Sequence, residues 1–117
     1  MIIQGTARTC KSFLIGCLED AFLPTSSNET SSLLLLAPTG IATFNIHALT
    51  IYLGLRIPIS QMHPLEGQAL LNLQEQLFHV KYILIDEMSF NGPKQISQID
   101  DRFYEAFPSH RGTPFGG

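Results

Sequence analysis

The hydrophobic pattern of the chain alternates between short, continuous apolar runs and longer stretches with helical spacing. Leu33–Ala37 and Tyr82–Ile85 are apolar at every position and are bounded by turn residues. Strands that are covered on both faces of a parallel sheet have this pattern. A shorter apolar run at residues 1–4 predicts a further strand at the start of the chain.

The stretches between these strands have the spacing of helices. Residues 11–22 predict a helix with an apolar stripe at Phe13, Leu14, Cys17, Leu18, Ala21 and Phe22. Residues 65–78 predict an amphipathic helix whose stripe is Leu65, Ala69, Leu70, Leu73 and Leu77. Pro93 suits the first turn of a third helix, with a stripe at Ile96, Ile99, Phe103 and Phe107.

The remaining segments predict shorter elements. Residues 41–55 predict one or two short helices, and residues 56–64, which contain two prolines, predict a loop. Residues 25–32 form a polar, serine-rich connector, and a loop is predicted from Pro108 onwards. Buried strands that alternate with helices indicate an α/β fold with a mainly parallel sheet.

Composition narrows the class of protein. With 117 residues, the chain is one domain or part of one. The net charge of −3 provides no overall basic field, so any contact with DNA would have to be local. The two cysteines, Cys10 and Cys17, do not make up a disulfide framework and are not spaced as metal ligands. This favours a reducing, intracellular setting. The longest apolar run, Leu33–Ala37, is too short to span a membrane.

A candidate phosphate-binding loop lies between the first predicted strand and the first predicted helix. The pattern for such a loop is G-x-x-x-x-G-K-[ST], and Gly5, Lys11 and Ser12 stand at the required spacing. Backbone N–H groups at a helix N-terminus bind phosphate, the lysine adds a charge, and the hydroxyl suits Mg²⁺. Cys10 occupies the position of the second glycine, so the motif alone leaves chance resemblance open.

A pair of carboxylates follows the second buried strand. Asp86 and Glu87 come directly after Tyr82–Ile85. In phosphate-loop ATPases the first carboxylate at such a strand end holds Mg²⁺, and the next acts as general base toward the attacking water. The alternative is that both side chains only cap the following turn. The upstream loop favours the ATP-site interpretation.

A turn containing Thr39 and Gly40 follows the other buried strand. The carboxyl end of a parallel strand lies on the ligand side of an α/β sheet, where a hydroxyl and backbone N–H groups can bind a nucleic-acid phosphate. On this stretch alone, an ordinary strand-to-helix turn is the favoured interpretation.

Several longer strings together resemble one family. They are residues 37–59 (APTGIATFNIHALTIYLGLRIPI), residues 80–90 (VKYILIDEMSF), residues 98–102, and the closing Pro-Phe-Gly-Gly. Their content and their order resemble the PIF-type (petite integration frequency) DNA helicases, which also form the helicase part of Helitron transposons. The resemblance covers nearly the whole chain.

The resemblance implies a superfamily-one motor that hydrolyses ATP with Mg²⁺ and moves 5′ to 3′ along single-stranded DNA. It implies a P-loop NTPase (RecA-like) fold, a three-layer sandwich with a mainly parallel sheet, of which residues 1–117 form a truncated first motor domain. The family's roles are DNA repair, recombination and telomere maintenance, in the nucleus or the mitochondrion.

The resemblance also implies the site residues. The nucleotide would be bound by Gly5, Thr6, Ala7, Arg8, Thr9, Cys10, Lys11 and Ser12. Ser12 and Asp86 would hold Mg²⁺, while Glu87 as catalytic base and Lys11 would serve catalysis. Thr39 and Gly40 would contact single-stranded DNA, together with parts of the motor that this chain lacks.

Four positions depart from the family pattern. Arg8 and Cys10 replace glycines of the loop, Tyr52 stands where the family has a histidine, and Ala48 replaces a glycine. A non-glycine residue in a left-handed conformation costs about 1–2 kcal/mol. The chain also lacks the family's next strand, which lies centrally in the sheet, and the second motor domain. We therefore expect no helicase activity and little ATPase activity from this chain alone.

Two alternatives to a working motor remain. The first is a non-catalytic remnant of a transposon or of a truncated helicase gene, which Arg8, Cys10, Tyr52 and the truncation favour. The second is an unrelated phosphate-loop protein such as a small kinase or GTPase. The Asp-Glu pair and the Thr-Gly turn are evidence against this alternative. A GTPase would also need a guanine-reading motif, and none is found in the sequence.

Overall fold

A computed structural model of the chain describes residues 10–22, 31–87, 92–110 and 112–116. The predicted strand at residues 1–4 and residues 5–9 of the candidate phosphate loop lie outside the described residues. Most of the polar connector, residues 88–91 of the Asp-Glu-Met-Ser string, Arg111 and Gly117 also lie outside them.

The described chain forms five α-helices, three strands and two short 3-10 turns. The helices are α1 (Lys11–Phe22), α2 (Gly40–Asn45), α3 (Ile51–Gly54), α4 (Gly67–Leu77) and α5 (Pro93–Ala106). The strands are β1 (Leu33–Ala37), β2 (Leu49–Thr50) and β3 (Tyr82–Ile85). The 3-10 turns are Pro108–His110 and Pro114–Gly116.

The predicted strands β1 and β3 and the predicted helix α1 are confirmed with the same bounds. α4 is confirmed with slightly narrower bounds, and α5 begins at Pro93 as expected. The stretch 41–55 contains the two short helices α2 and α3. It also contains the two-residue strand β2, which the sequence did not indicate because two residues show no alternation.

The three strands form a fully parallel sheet in the order β2-β1-β3. β1 is the middle strand, with Leu36 opposite Leu49 on one side and opposite Ile85 on the other. The expectation of a mainly parallel sheet is therefore confirmed.

Alternation along β1 divides the core between the two faces of the sheet. Leu36 belongs to a large cluster that contains Leu73 and Leu77 of α4 and Ile99 and Phe103 of α5. Its neighbours on the other face form a small cluster, consisting of Ile15, Leu35 and Ile46, with Leu33, Ala48 and Leu84 partly buried around it. Successive side chains of a strand point to opposite faces of the sheet. The large cluster therefore places α4 and α5 on one face, and the small cluster places α1 on the other. The result is helix, sheet, helix in three layers.

The predicted apolar stripe of α1 is wrong at four of its six positions, although the helix is correct. The buried residue of α1 is Ile15, which lies outside that stripe. Phe13 is 74% exposed, and Leu14, Cys17 and Ala21 are also exposed. The reason is that, within the described residues, α1 meets the sheet through Ile15 and through Phe22, whose ring centroid lies 4.4 Å from that of Tyr82.

None of the helices in the described ranges is both long enough and apolar enough to cross a membrane.

Candidate functional site

The carboxyl ends of β1 and β3 bring two predicted motifs to the same edge of the sheet. β1 runs into the turn that holds Thr39 and Gly40, and β3 runs into Asp86 and Glu87. The two strands are parallel neighbours in register, so their following residues emerge side by side. Ligands of open α/β sheets bind outside this edge.

The residues Asp86 and Glu87 extend β3 and then turn sharply. The backbone N–H of Asp86 donates to the carbonyl of Leu36 at 2.9 Å, which continues the pairing with β1 by one residue. Asp86 is half-buried. Glu87 is exposed and has a φ of 54°, in the left-handed region that non-glycine residues rarely adopt. Such backbone strain is concentrated at functional sites.

α1 crosses the sheet with its N-terminus directed toward this edge. Its last residue, Phe22, lies against Tyr82 at the start of β3. Ile15 belongs instead to the small cluster with Leu35 and Ile46, against which Leu33, Ala48 and Leu84 pack. The helix therefore runs opposite to the strands. At about 1.5 Å per residue it extends about 16 Å from Phe22 back to Lys11. β3 is only about 10 Å long.

The start of α1 contains the described part of the candidate phosphate loop. The carbonyl of Cys10 accepts a bond from the N–H of Leu14 at 3.1 Å, so helical hydrogen bonding begins at Cys10. Lys11 is half-buried and Ser12 is exposed. Cys10 has a φ of 56°, so this position has the left-handed conformation that a glycine adopts without strain.

Thr39 caps α2. Its hydroxyl oxygen accepts a hydrogen bond from the N–H of Ala42 at 3.3 Å, which satisfies one of the free donors at the helix start. A hydroxyl group has one proton as well as two lone pairs. The cap uses a lone pair only, so the proton of this exposed side chain can still be donated outward.

Oxygen-bearing side chains at this edge are of the kind that Mg²⁺ prefers. Asp86 and Ser12 offer hard oxygen ligands. Within the described ranges, no group of three or more histidine, cysteine, aspartate or glutamate side chains could hold a metal ion. Mg²⁺ usually takes one or two protein oxygens and keeps phosphate and water as its other ligands, so this sparse set fits it.

Two of the positions that depart from the family pattern, Tyr52 and Ala48, have structural roles. Tyr52, where the family has histidine, packs against the larger core cluster. Ala48 packs against the smaller one, and its N–H donates to the carbonyl of Thr43 at 3.0 Å. Both side chains are therefore packed into the fold.

Sequence reasoning missed the role of Arg102. This side chain is fully buried on α5 and pairs with Glu105 at 2.5 Å. Its two terminal nitrogens also donate to the carbonyls of Arg56 and His63 at 3.3 Å. The loop between α3 and α4 is thereby held to α5. The sequence places Arg102 on the apolar face of α5, between Ile99 and Phe103, but it does not show the distant acceptors that allow its burial.

A second missed interaction joins α5 to the closing Pro-Phe-Gly string. The N–H of Phe115 donates to Asp100 Oδ1 at 2.6 Å, and the Phe115 ring meets that of Phe103 edge to face. Tyr104 also hydrogen-bonds to Asp100. Partial burial, followed by the charge and hydrogen bond of Asp100 and the charge of Asp101, raises the pKa of Tyr104 above its ordinary value of 10.0.

Comparison with known proteins gives one consistent result. Solved structures of Pif1 from Bacteroides resemble the chain: Pif1 bound to ssDNA has a TM-score of 0.72 at 26% identity, over 92% of this chain and 24% of that one. The Bacteroides Pif1 helicase in complex with ADP-AlF3 and ssDNA has a TM-score of 0.66, at 26% identity over 90% and 24%. Two coordinating Pif1 helicases at forked dsDNA give 0.69, at 23% identity over 92% and 24%.

No protein-family model matches the chain, and no curated protein sequence does either. The chain spans about a quarter of the length of the Pif1 structures that it matches. The parallel sheet, the helices on both faces and these similarities agree. The chain resembles the PIF-type DNA helicases and has their RecA-like α/β fold over that quarter.

Proposed function

We propose that the chain forms part of the first motor domain of an ATP-dependent DNA helicase that moves 5′ to 3′ along single-stranded DNA. The observation that carries the proposal is the edge of the sheet where the Thr39-Gly40 turn and the Asp86-Glu87 pair emerge side by side. α1 directs the Lys11-Ser12 pair toward this edge. A phosphate-binding helix start, two carboxylates and a candidate DNA contact on one edge suit a nucleotide-driven motor.

At this edge each side chain has a separate role in the proposed chemistry. Lys11 places a positive charge at the outer phosphates of ATP, and residues 5–12 surround the polyphosphate. Ser12 and Asp86 hold Mg²⁺, which neutralises charge on the transferring phosphoryl group when it is bound. Glu87 orients the attacking water and accepts its proton.

The DNA contact belongs to the turn after β1. Thr39 donates its hydroxyl proton to a backbone phosphate while it remains the cap of α2, and the N–H of Gly40 assists. This contact is independent of base sequence. The family roles in DNA repair, recombination and telomere maintenance are part of the proposal.

A nucleotide-binding titration tests the proposal directly. A fluorescent ATP analogue is titrated onto the purified chain with and without Mg²⁺, and the same is done for Lys11→Ala. Lys94→Ala is the matched control, because Lys94 is an exposed lysine in the first turn of a different helix, α5. Saturable, Mg²⁺-dependent binding that Lys11→Ala weakens at least about tenfold supports the proposal. Equal binding by both variants, or none by any form of the chain, contradicts it.

Turnover is a separate question from binding. Because the chain spans only a quarter of its solved relatives, we expect ATP binding without DNA-stimulated hydrolysis. If the purified chain hydrolyses ATP in response to DNA, and Lys11→Ala abolishes that activity, the expectation of inactivity is wrong. A non-catalytic remnant would bind neither nucleotide nor Mg²⁺.

A further inference from the structure

The thioether of Met62 lies against the buried guanidinium of Arg102. Met62 belongs to the loop between α3 and α4, and its Sδ accepts a hydrogen bond from Nη2 of Arg102 at 3.3 Å. The residue is half-buried and packs against the larger core cluster. A thioether sulfur is a weak acceptor, whereas the other partners of this guanidinium in the described chain are carbonyl and carboxylate oxygens.

One donor of the same guanidinium has no acceptor. Arg102 is fully buried, and its Nε is the only buried side-chain nitrogen or oxygen in the described ranges that lacks a hydrogen-bond partner. Such a donor has lost its hydration without compensation. Nε and Nη2 belong to one planar group, so an oxygen atom bound to Sδ of Met62 would add a strong acceptor beside a donor that is unused.

We propose that Met62 is a site of reversible oxidation by peroxide, and that the guanidinium of Arg102 holds the oxygen of its sulfoxide. A lone pair of Sδ attacks one oxygen of hydrogen peroxide, the O–O bond breaks, an S–O bond forms, and the other oxygen leaves as water. The sulfur is oxidised and the peroxide is reduced. Methionine sulfoxide reductases reverse the reaction, with a dithiol as reductant and water as product. This inference is independent of the proposed function.

The contact with Arg102 reverses the usual effect of methionine oxidation. A sulfoxide is polar and commonly disrupts the apolar surroundings of a methionine. Here a cation lies 3.3 Å from the sulfur, and the polarised S–O bond has its negative end on oxygen. Hydrogen bonds to charged groups are stronger than those between neutral groups. Oxidation therefore fastens the loop more firmly to α5, in addition to the bonds from Arg102 to the carbonyls of Arg56 and His63.

Peptide mapping identifies the oxidised residue directly. The three methionines of the chain fall in different tryptic peptides, which are residues 1–8, 57–81 and 82–94. Hydrogen peroxide is added to the folded chain until the peptides of Met1 and Met88 carry oxygen, and the digest is analysed by mass spectrometry. We expect the peptide of Met62 to gain one oxygen as well, and methionine sulfoxide reductases with dithiothreitol to remove it. A Met62 peptide that stays unmodified would overturn the inference.

The melting temperature distinguishes a sulfoxide that Arg102 holds from one that damages the core. We expect peroxide to raise the melting temperature of the natural chain by at least about 3 °C more than that of Met62→Leu. Leucine is the matched control, because it conserves the apolar volume and cannot be oxidised. Met1 and Met88 remain in the control, so their oxidation affects both chains. An equal change in the two chains, or a lower melting temperature for the oxidised natural chain, contradicts the inference.

A permanent mimic tests the same contact without an oxidant. Met62→Gln places a carbonyl oxygen on the δ atom, where a sulfoxide has its oxygen. A polar side chain packed against the core ordinarily destabilises a fold. We expect Met62→Gln instead to melt at a higher temperature than Met62→Leu. By NMR, its Arg102 Nε–H proton should exchange with water more slowly than in Met62→Leu. If glutamine melts below leucine, or if the exchange rates are equal, the guanidinium does not hold this oxygen.

Discussion

The guanidinium of Arg102 and the carboxylate of Glu105 form a buried ion pair of 2.5 Å within one turn of α5. The Arg102 side chain is fully buried, and Glu105 Oε2 also accepts the N–H of Leu65 at 3.0 Å. The pair therefore joins α5 to both ends of the loop between α3 and α4. Removing one partner of such a pair leaves a charge without compensation in the interior.

We expect Glu105→Ala to lower the free energy of unfolding by about 3–5 kcal/mol, because Arg102 would keep its charge without a counter-ion. Urea denaturation followed by circular dichroism measures the loss. Glu75→Ala is the control, since Glu75 is an exposed glutamate on α4, and its removal should change stability by no more than about 0.5 kcal/mol. Similar midpoints for the two variants would show that the buried pair contributes nothing specific.

The raised pKa of Tyr104 predicts a loss of folding stability at alkaline pH. Its pKa is raised in the folded chain, so folding favours the protonated phenol that bonds to Asp100. The contribution is complete below the unfolded value of 10.0 and is lost as the pH rises through the folded value. Melting temperatures measured between pH 8 and pH 11.5 should fall more steeply for the natural chain than for Tyr104→Phe. Parallel curves would exclude this linkage.

Gly54 permits the close approach of α3 to the sheet. A Cβ atom there would lie 2.5 Å from Cδ2 of the fully buried Leu36, so the packing around it would have to shift. We expect Gly54→Ala to destabilise the chain by about 1–3 kcal/mol. Gly16→Ala, in α1 with no atom within 4 Å of the added carbon, should instead stabilise it by up to about 1 kcal/mol. Thermal unfolding of both variants tests the contrast in sign.

Cys10 predicts a gain of stability on substitution by glycine. Its φ of 56° is accessible to glycine without the penalty of a side chain. Cys10→Gly should raise the free energy of unfolding by about 1 kcal/mol, and Cys10→Ala, which removes the thiol but keeps Cβ, should not. If Cys10→Ala gives the same gain, the thiol and not the backbone conformation is responsible.

The same conformation bears on the nucleotide site. Arg8→Gly combined with Cys10→Gly restores both glycines of the loop and should strengthen binding of the ATP analogue. Cys10→Gly alone distinguishes the contribution of its backbone from that of Arg8. Unchanged affinity in the double variant would mean that these two side chains do not limit binding.

Much of the fold follows from local patterns in the sequence. β1 and β3 were predictable because parallel strands buried on both faces are apolar at every position, and α5 because Pro93 and its apolar spacing agree. The buried side of α1 was not predictable in this way. Residues with helical spacing are buried only where another layer covers them, and Phe13 lies outside the contact with the sheet. Burial of a charged side chain such as Arg102 depends on acceptors about 40 residues away, which no local pattern shows.

The candidate site, like the fold, could be predicted from the sequence only in part. The pairing of β1 with β3 brings the Thr-Gly turn and the Asp-Glu pair to one edge, as a parallel sheet requires. The left-handed conformation of Glu87 and the cap formed by Thr39 depend on how the chain leaves each strand. The same residue types occur in ordinary turns, so composition and spacing do not specify these conformations.

The central position of β1 has a consequence for synthesis of the chain. β1 can pair with β2 soon after translation, because Leu36 and Leu49 are close in sequence. Its other edge pairs with β3, where the partner of Leu33 is Tyr82, 49 positions later. Until those residues leave the ribosome, the most apolar segment of the chain presents an unpaired edge. We therefore expect nascent chains halted between β2 and β3 to be the form that chaperones bind and that aggregates most readily.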